Sequence, residues 1–496
     1  MRDEVGIVIG EARPERIEFV AKNPIRVGDY VVVDTDDGPV VYMVEAFRNV
    51  SELLYGESDY QTIDEARRAS ARNPRDRVRV GVAKALGLVN ELLKGRRIYP
   101  TLPPEPGASV KPADDELLKK IYGSGGRRWA DIGVLLRRPC VRVSIDLNML
   151  ASRHLAILAA TGKGKSNLLA LLAKKISERH GTMVIFDYHG EYHNLQIPGI
   201  KITTPRINPR NLDSEELADV IGVRRDADRQ RGLLQEVYTR EVKEAEEFWE
   251  ALLNRLRAIT EDEEENYQVR MTAGRLIEII RRALAVWGRV FDPTARSPLD
   301  VIMNNRVNVL DISEFTEYQA QIIVDRYLEE ILQDRKNAVR GEECKFKSPV
   351  VVAIEEAHVF IPSNRRTKCS ETVARIAREG RKFGVSLIII SQRPSRLDAD
   401  IVSQMGSFAI SGLIHPKDQN FVKDVTDDVS EELGASLPSL NPGEMILAGQ
   451  FIKVPALAKV DLVEEKLVGR DLDAVQLWED EFNSNFQIST GDLIKL

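Results

Sequence analysis

The stretch AATGKGKS at residues 159–166 decides the fold of this chain, because it follows an apolar run and opens a helix-forming run. Residues 155–158 predict a buried strand, and residues 167–176 predict a helix. A glycine-containing turn at a helix N-terminus aims backbone N–H groups and the positive end of the helix dipole at one point, which suits a polyphosphate. The spacing fits the phosphate-loop pattern G-x-x-x-x-G-K-[ST], except that Ala159 replaces the first glycine. We therefore predict a nucleotide-binding loop made of Thr161, Gly162, Lys163, Gly164, Lys165, Ser166 and Asn167.

A loop of this kind binds ATP and Mg²⁺, and hydrolysis also requires acidic residues at the end of a neighbouring strand. Lys165 is predicted to reach the β- and γ-phosphates, and Ser166 to place its hydroxyl on the metal. The apolar, largely β-branched run at residues 350–354 ends in two glutamates. We expect Glu355 to complete the Mg²⁺ shell with Ser166, and Glu356 to orient the attacking water. Taken alone, the run also fits a strand that ends in solvated acids.

Polar side chains also end three other predicted strands, at residues 182–186, 307–310 and 385–390. In an open α/β sheet the ligand lies outside the carboxyl ends of the strands, so these side chains should converge on the nucleotide. Gln392 is then predicted to sense the γ-phosphate, and Asp187 to support the metal or the water. An aspartate after a strand is also a common helix cap or turn residue.

Four further segments carry a resemblance to a known family: FDYHGEY at 186–192, IEEAH at 354–358, AREGRKFGV at 377–385 and IIISQRPSRLD at 388–398. In this order they resemble the HerA-type DNA translocases, which are hexameric P-loop ATPases of the FtsK/HerA group. The resemblance covers nearly the whole chain. It implies an α/β, RecA-like sheet, a homohexamer, and double-stranded DNA held in a central pore.

The resemblance also implies roles for two arginines. In such hexamers ATP lies between subunits, and arginine from the neighbour stabilises charge on the transferred phosphoryl group. Arg381 matches the family's trans-acting arginine, and Arg153 matches a second arginine at the same interface. Judged from the residues alone, both also fit ordinary surface or ion-paired arginines.

The N-terminal part is predicted to form a small β-barrel over residues 1–100. Short β-type runs at 6–10, 16–20, 29–34 and 39–45 are separated by Gly and Asp turns. This part resembles the HAS-barrel of HerA proteins, which implies a ring face that docks a NurA-type nuclease. Residues 100–112 are rich in proline, and we predict a connector over 101–150.

The rest of the chain divides into an ATPase core at 151–210 and 300–462, interrupted by a helical subdomain at 211–299. Runs at 408–411, 444–448 and 454–460 predict additional edge strands. Residues 463–496 contain few apolar side chains, and the resemblance implies that this extension braces a neighbouring subunit.

Composition limits the class of protein. The chain has no apolar run of about 18 residues and no signal-peptide pattern, so we expect a cytoplasmic protein without a membrane partner. Its three cysteines lack metal-site spacing. A net charge of −7 argues against a protein that coats DNA, although a pore needs only a few cations per subunit. The basic loop with Arg365, Arg366 and Lys368 is the candidate DNA contact, and it equally fits a solvated surface loop.

Together these patterns predict an ATP-driven translocase or helicase on double-stranded DNA that works with a NurA-type nuclease in DNA-end resection during double-strand-break repair. Two alternatives remain open at this point. One is an ATP-driven pump of single-stranded DNA or peptide. The other is a nucleotide-dependent scaffold for a nuclease.

Overall fold

The computed structural model describes residues 4–54, 59–73, 76–193, 195–224, 226–288, 290–464, 475–476 and 478–480. Most of the extension predicted at 463–496 lies outside these ranges, so its contact with a neighbouring subunit stays a prediction. Within the described ranges, no helix combines the length and the apolar character needed to cross a membrane.

An antiparallel barrel forms the N-terminal part of the chain. In the described residues its six strands are β1 (Gly6–Ile9), β2 (Arg16–Ala21), β3 (Tyr30–Thr35), β4 (Gly38–Ser51), β5 (Arg77–Leu88) and β6 (Ser109–Pro112). They close in the order β1-β2-β5-β4-β3-β6. Phe19 is fully buried, and its ring lies where a Cβ on Gly81 would stand. The barrel interior therefore requires glycine at position 81.

The barrel extends past residue 100, where we predicted its end. Its closing strand, β6, comes from the range 101–150 that was predicted as a connector. β6 pairs with both β1 and β3, and its Val110 is fully buried. Without it, β1 and β3 would each have an unpaired edge. The one apolar residue that β6 buries is too weak a pattern to distinguish this strand from a proline-rich linker.

A large mixed sheet follows the barrel. In the described residues its eleven strands are β7 (Trp129–Leu135), β8 (Arg138–Asp146), β9 (Leu155–Ala159), β10 (Thr182–Asp187), β11 (Ile200–Thr203), β12 (Val307–Asp311), β13 (Val350–Ile354), β14 (Val385–Ser391), β15 (Ser407–Ser411), β16 (Glu444–Gly449) and β17 (Ala456–Val460). Their order is β11-β12-β10-β13-β14-β9-β15-β16-β17-β7-β8. The strands from β11 to β15 in that order are parallel, and the rest are antiparallel. β9 and β13 are buried along their whole length, which explains their continuous apolar sequence.

The three runs predicted as edge strands form β15, β16 and β17, but none of them lies at an edge of the sheet. β15 pairs with β9 on one side and with β16 on the other. β17 pairs with β7, which the sequence reading assigned to the connector at 101–150. The prediction was wrong because the β7–β8 hairpin, with its interspersed polar residues, covers that edge.

Helices cover both parts of the fold. They are α1 (Tyr60–Arg72), α2 (Val89–Leu93), α3 (Asp115–Tyr122), α4 (Leu147–Ser152), α5 (Lys165–Ser177), α6 (Ser214–Ile221), α7 (Asp228–Val237), α8 (Arg240–Glu244), α9 (Phe248–Glu261), α10 (Tyr267–Trp287), α11 (Pro298–Val301), α12 (Glu317–Arg340), α13 (Lys368–Phe383), α14 (Ala399–Val402), α15 (Pro416–Val425) and α16 (Glu431–Ser436). Helices α6 to α11 stand between β11 and β12 in the chain. In α9, Phe248, Leu252 and Leu256 are buried at four-residue spacing, so this helix packs one apolar face inward.

The barrel is attached to the segment that joins α15 to α16. Arg97 Nη1 donates to Asp428 Oδ1 at 2.9 Å, and Lys84 Nζ donates to the carbonyl oxygen of Asp427 at 3.0 Å. Arg16 forms an ion pair with Glu432 at the start of α16. Polar contacts therefore fix the barrel to residues 427–432 of the core.

Candidate active site

The predicted phosphate loop forms the turn between β9 and α5. Gly162 and Gly164 have φ values of 74° and 102°, which other residues rarely adopt. Gly164 is the N-cap of α5, so the first backbone N–H groups of this helix face the turn. Lys165 Nζ donates to the carbonyl oxygen of Ala160 at 3.1 Å, which folds its ammonium group over the loop. Ala159 ends β9 without a positive φ, so alanine fits where the pattern has glycine.

Side chains of the loop contact two other parts of the core. Thr161 Oγ1 donates a hydrogen bond to Gln392 Oε1. Lys163 Nζ donates to the carbonyl oxygen of Leu440 at 2.7 Å. Asn167 Nδ2 donates to the carbonyl oxygen of Asp461 at 2.9 Å, which fixes the first turn of α5 to the end of β17. The contact between Thr161 and Gln392 therefore joins the phosphate loop to the end of β14, which carries the predicted sensor residue.

Two buried carboxyl groups meet where β10 and β13 end. Tyr192 Oη donates to Glu355 Oε1 at 2.7 Å. Asp187 accepts from the backbone N–H groups of Glu191 and Tyr192, both at 3.0 Å, so it also caps the following turn. Burial raises the pKa of Glu355 well above its usual range, and the nearby Asp187 charge adds to that rise. Burial raises the pKa of Asp187 as well.

These carboxyl groups fit a magnesium site of the P-loop type. Glu355 Oε2 is buried and lacks a hydrogen-bond partner, so one oxygen remains for a cation. Within the described ranges, no group of three or more His, Cys, Asp or Glu side chains could hold a metal ion by itself. Mg²⁺ in nucleotide sites takes one or two protein ligands together with phosphate and water oxygens, so a single carboxylate with Ser166 fits that need.

Glu356 lies between two histidines. Its Oε1 lies 3.3 Å from His189 Nε2, and its Oε2 lies 3.2 Å from His358 Nδ1. Burial by itself raises the pKa of Glu356, but the hydrogen bonds to His189 and His358 and the charge of Lys165 lower it to about 2. Glu356 therefore remains a carboxylate at neutral pH, as a residue that orients and polarises a water requires.

The sequence reading missed the contacts of both histidines with Glu356. It assigned no role to His189, and quoted His358 only as part of the IEEAH motif. Their positions in the chain gave a signal. His189 follows the end of β10 and His358 follows the end of β13, and these two buried strands are neighbours with acidic residues at their ends.

Gln392 follows β14 directly, and β14 lies between β13 and β9 in the sheet. Its side chain contacts Thr161 of the phosphate loop, as described above. Gln392 is therefore placed between the strand that ends in Glu355 and the strand that leads to Lys165, where a γ-phosphate would lie.

Arg153 and Arg381 lie at the opposite ends of the parallel strands, where β9 and β14 begin. Arg153 precedes β9, and Arg381 stands near the end of α13, just before β14 begins. The five residues of β9, about 16 Å of strand, separate Arg153 from the phosphate loop. Both arginines line one surface pocket of 580 Å³. Burial lowers the pKa of Arg153, and the charge of Arg381 lowers it further.

The residues predicted to contact DNA lie beside the helical insert. Arg365, Arg366 and Lys368 line a cavity of 510 Å³ together with residues of α6 and α12. Lys368 Nζ is 3.4 Å from Glu216 Oε1 and 3.8 Å from Asp325 Oδ2. The charge of Lys368 is thus already balanced by acids, whereas Arg365 and Arg366 are exposed to solvent.

Comparisons with known proteins agree with this geometry. The family model "Helicase HerA, central domain" matches residues 130–331, and the model "HAS barrel domain" matches residues 5–93. The "DNA double-strand break repair helicase HerA" of Saccharolobus solfataricus is 33% identical over 486 residues, covering 96% of this chain and 95% of that protein. The protein of the same name from Pyrococcus furiosus is 34% identical over 521 residues, covering 93% of this chain and 92% of that protein.

Among solved structures, VirB4 of Thermoanaerobacter pseudethanolicus is similar, with a TM-score of 0.52, 17% identity, and coverage of 70% of this chain and 98% of that chain. At this identity the similarity concerns the fold alone, and it supports the α/β P-loop fold of the core. The relatives extend over nearly the full length of the chain, and both family models match in the expected order. The chain therefore belongs to the HerA helicase family.

Proposed function

We propose that this protein is an ATP-driven, hexameric translocase and helicase on double-stranded DNA. Family membership supports helicase activity, and relatives that match nearly the whole chain are named DNA double-strand break repair helicases. One observation carries the proposal. Lys165, Glu356 and Gln392 meet at the carboxyl ends of the parallel strands, whereas Arg153 and Arg381 lie at the amino ends.

In the proposed reaction, Lys165 and the backbone N–H groups of the loop bind the phosphates of ATP. Glu356 orients the attacking water, and Gln392 contacts the γ-phosphate. Two observations support these roles: Glu356 is ionised beside Lys165, and Gln392 already contacts the loop. Glu355 and Ser166 would hold Mg²⁺, which neutralises charge on the phosphates, and Asp187 would support Glu355 from the next strand.

The separation of the phosphate loop from the two arginines supports a ring. Arg153 and Arg381 are too far from the phosphate loop of their own subunit to reach its nucleotide. If they act in hydrolysis, they act on a neighbour, and a repeated contact between two different faces forms a ring when the rotation between subunits closes. We propose that the ring is a hexamer with DNA in its central pore. Arg365 and Arg366 are the proposed DNA contacts, with Lys368 in a smaller role because acids already hold it.

The barrel offers a surface for a NurA-type nuclease. Helix α1 buries only Ser70, although its sequence is amphipathic. Large apolar side chains are exposed on α1, at the end of β4 and just after β4; they are Tyr60 and Ile63, Val50, and Leu53 and Leu54. Exposed apolar clusters of this kind mark protein interaction sites. We propose that this surface docks the nuclease and that the complex resects DNA ends.

We further propose that the chain divides into an N-terminal barrel, a core formed by the large sheet, and the inserted helical bundle. The proposed extension at 463–496 would brace the neighbouring subunit. Limited proteolysis of the purified protein, followed by mass spectrometry, tests this division.

The first experiment measures the ATPase rate with and without linear duplex DNA, beside the Glu356→Gln variant. We expect duplex to stimulate the wild-type rate, and the variant to lose about 10²- to 10⁴-fold in kcat while still binding ATP. Stimulation by single strands alone would favour a pump of single-stranded DNA. A rate that ignores DNA and depends only on the nuclease would favour a scaffold.

A mixing experiment tests the trans role of Arg381. Lys165→Ala subunits lack the phosphate-binding lysine but keep Arg381, and Arg381→Ala subunits have the reverse defect. If the arginine acts on the neighbour, mixed rings recover activity that neither variant has alone. No recovery at any mixing ratio would refute this arrangement.

A further inference from the structure

His358 occupies a turn between the catalytic acids and the sensor strand. It lies in the 3₁₀ turn Ala357–Val359 that follows β13, and its side chain is 17% exposed. Its Nδ1 is 3.2 Å from Glu356 Oε2 and 3.4 Å from Ser391 Oγ. One imidazole nitrogen thus faces both the carboxylate that orients water and the last residue of β14.

Ser391 connects this imidazole to the phosphate loop. It is fully buried, and its Oγ accepts from the backbone N–H of Arg393 at 3.0 Å, which fixes the chain around Gln392. Gln392 in turn contacts Thr161. A continuous series of contacts therefore runs from the phosphate loop, through the end of β14 and His358, to Glu356.

The backbone of Glu356 makes this support necessary. Glu356 has φ 43° and ψ 46°, a left-handed conformation that is unfavourable for a residue with a side chain. A residue held in such a conformation keeps its geometry only when its surroundings impose it. Here a hydrogen bond with His189 and a close contact with His358 act on its carboxylate. His189 contacts Glu356 from the loop after β10 and is 48% exposed, whereas His358 is 17% exposed and lies against the end of the sensor strand.

We infer that His358 is a positioning residue for hydrolysis, which sets the orientation of Glu356 according to the position of the Ser391–Gln392 strand end. This inference rests on the proposed role of Glu356. His358 contacts neither nucleotide nor water in this scheme. It would transmit the seating of a γ-phosphate at Gln392 to the carboxylate, so that water is polarised only when ATP is bound.

The test compares ATPase kinetics and ATP-analogue affinity of His358→Ala, His358→Asn and Ser391→Ala, with the double variant of Ser391→Ala and His358→Ala. We expect His358→Ala to lower kcat by about tenfold or more, since small misplacements of catalytic groups have effects of that size. Analogue affinity should stay within about twofold of wild type. His358→Asn should recover much of the rate, because its amide can donate to Glu356 from a similar place.

The two variants that carry Ser391→Ala test whether His358 acts through its contact with Ser391. If His358 acts together with Ser391, the double variant should be no slower than His358→Ala, because contacts that work as a unit are not additive. His193→Asn is the matched control, since His193 pairs with Asp311 Oδ2 at 2.8 Å and does not contact Glu356. Its kcat should equal that of wild type.

Several results would overturn the inference. They are a His358→Ala kcat equal to that of wild type, an equal loss in His358→Asn, or a loss in the His193 control as large as that in His358→Ala. Glu356→Gln separates this failure from failure of the proposed function. If Glu356→Gln hydrolyses ATP at the wild-type rate, the assignment of Glu356 is wrong. If Glu356→Gln is inactive but His358→Ala is not, only the role of His358 is wrong.

Discussion

Acidification should weaken the fold at His154, which joins the two arginine-bearing elements. His154 is 4% exposed and follows Arg153 directly. Its Nδ1 accepts from the backbone N–H of Leu387 at 3.0 Å, and its Nε2 donates to the carbonyl oxygen of Ala377 at 3.1 Å. Ala377 is one turn before Arg381 in α13. A proton on Nδ1 would face the N–H of Leu387 and remove the acceptor.

The size of the effect follows from the pKa of His154, which burial lowers from 6.5 to about 4; the charge of Arg153 acts in the same direction. The unfolded chain takes up this proton below its own pKa, whereas the folded chain resists until the lower value. Stability from this group is therefore complete above the unfolded pKa and falls as pH drops from 6.5 towards 4. Between about pH 7.5 and about pH 5, the loss amounts to about 2 kcal/mol.

The assay compares wild type with His154→Gln, whose amide can accept from Leu387 and donate to Ala377 but does not titrate. Urea unfolding at both pH values, at one protein concentration, gives the stability difference, in which other titrating groups cancel. Hydrogen exchange of the Val385–Ser391 segment reports the local effect. Equal pH dependence in the two proteins would refute the reasoning, as would a wild type that gains stability relative to the variant in acid.

Three further predictions concern single positions. Tyr192→Phe removes the hydroxyl that donates to buried Glu355, so thermal unfolding should show a loss of about 1–3 kcal/mol. A Tyr192→Phe protein as stable as wild type would contradict the contact. Leu169→Ala empties a fully buried site on α5 and should cost about 2–5 kcal/mol in urea unfolding; a cost below about 1 kcal/mol would mean that the site is loosely packed. Gly384→Ala places a side chain at φ 69° after α13, next to Arg335, and should cost about 1 kcal/mol or more in the same assay, unless the backbone there relaxes.

The parallel core could be predicted from sequence because its strands are buried on both faces. The runs at 182–186, 307–310, 350–354 and 385–390 are mostly apolar and buried along their length, and they form β10, β12, β13 and β14. Such runs leave little ambiguity once a phosphate loop sets the topology. The four predicted barrel runs likewise form β1 to β4.

Other strands were missed because their partners, rather than their own composition, make them strands. β5 contains alternating arginines and two glycines, and it pairs with β2 and β4 over its length. β6 buries a single valine, β7 is interrupted by Asp131 and Gly133, and β8 carries polar residues at several positions. Pairing across a sheet selects these segments, and such long-range pairing cannot be read from a window of a few residues.

The residues of the candidate site also divide into those that the sequence predicts and those that it does not. Lys165, Glu355 and Gln392 follow from position in the chain, because strand ends converge at one edge. The roles of His189, His358 and His154 depend on contacts across 30 to more than 200 positions of sequence, such as the 223 that separate His154 from Ala377. Histidine spacing gave no sign of them, since His189 and His154 pair with groups in distant elements, and His358 contacts the hydroxyl of Ser391 besides the nearby carboxylate of Glu356.

Asp428 links the barrel to the large sheet of the core. One oxygen of its carboxylate accepts from Arg97 of the barrel at 2.9 Å, and the other accepts from the backbone N–H of Gly449 at 3.0 Å. Asp428 and Gly449 also line the pocket that contains Arg153 and Arg381. A tilt of the barrel would therefore displace a wall of that pocket through Asp428. If Arg153 and Arg381 act on the neighbouring subunit as proposed, such a displacement would reach the neighbour's nucleotide through these two arginines.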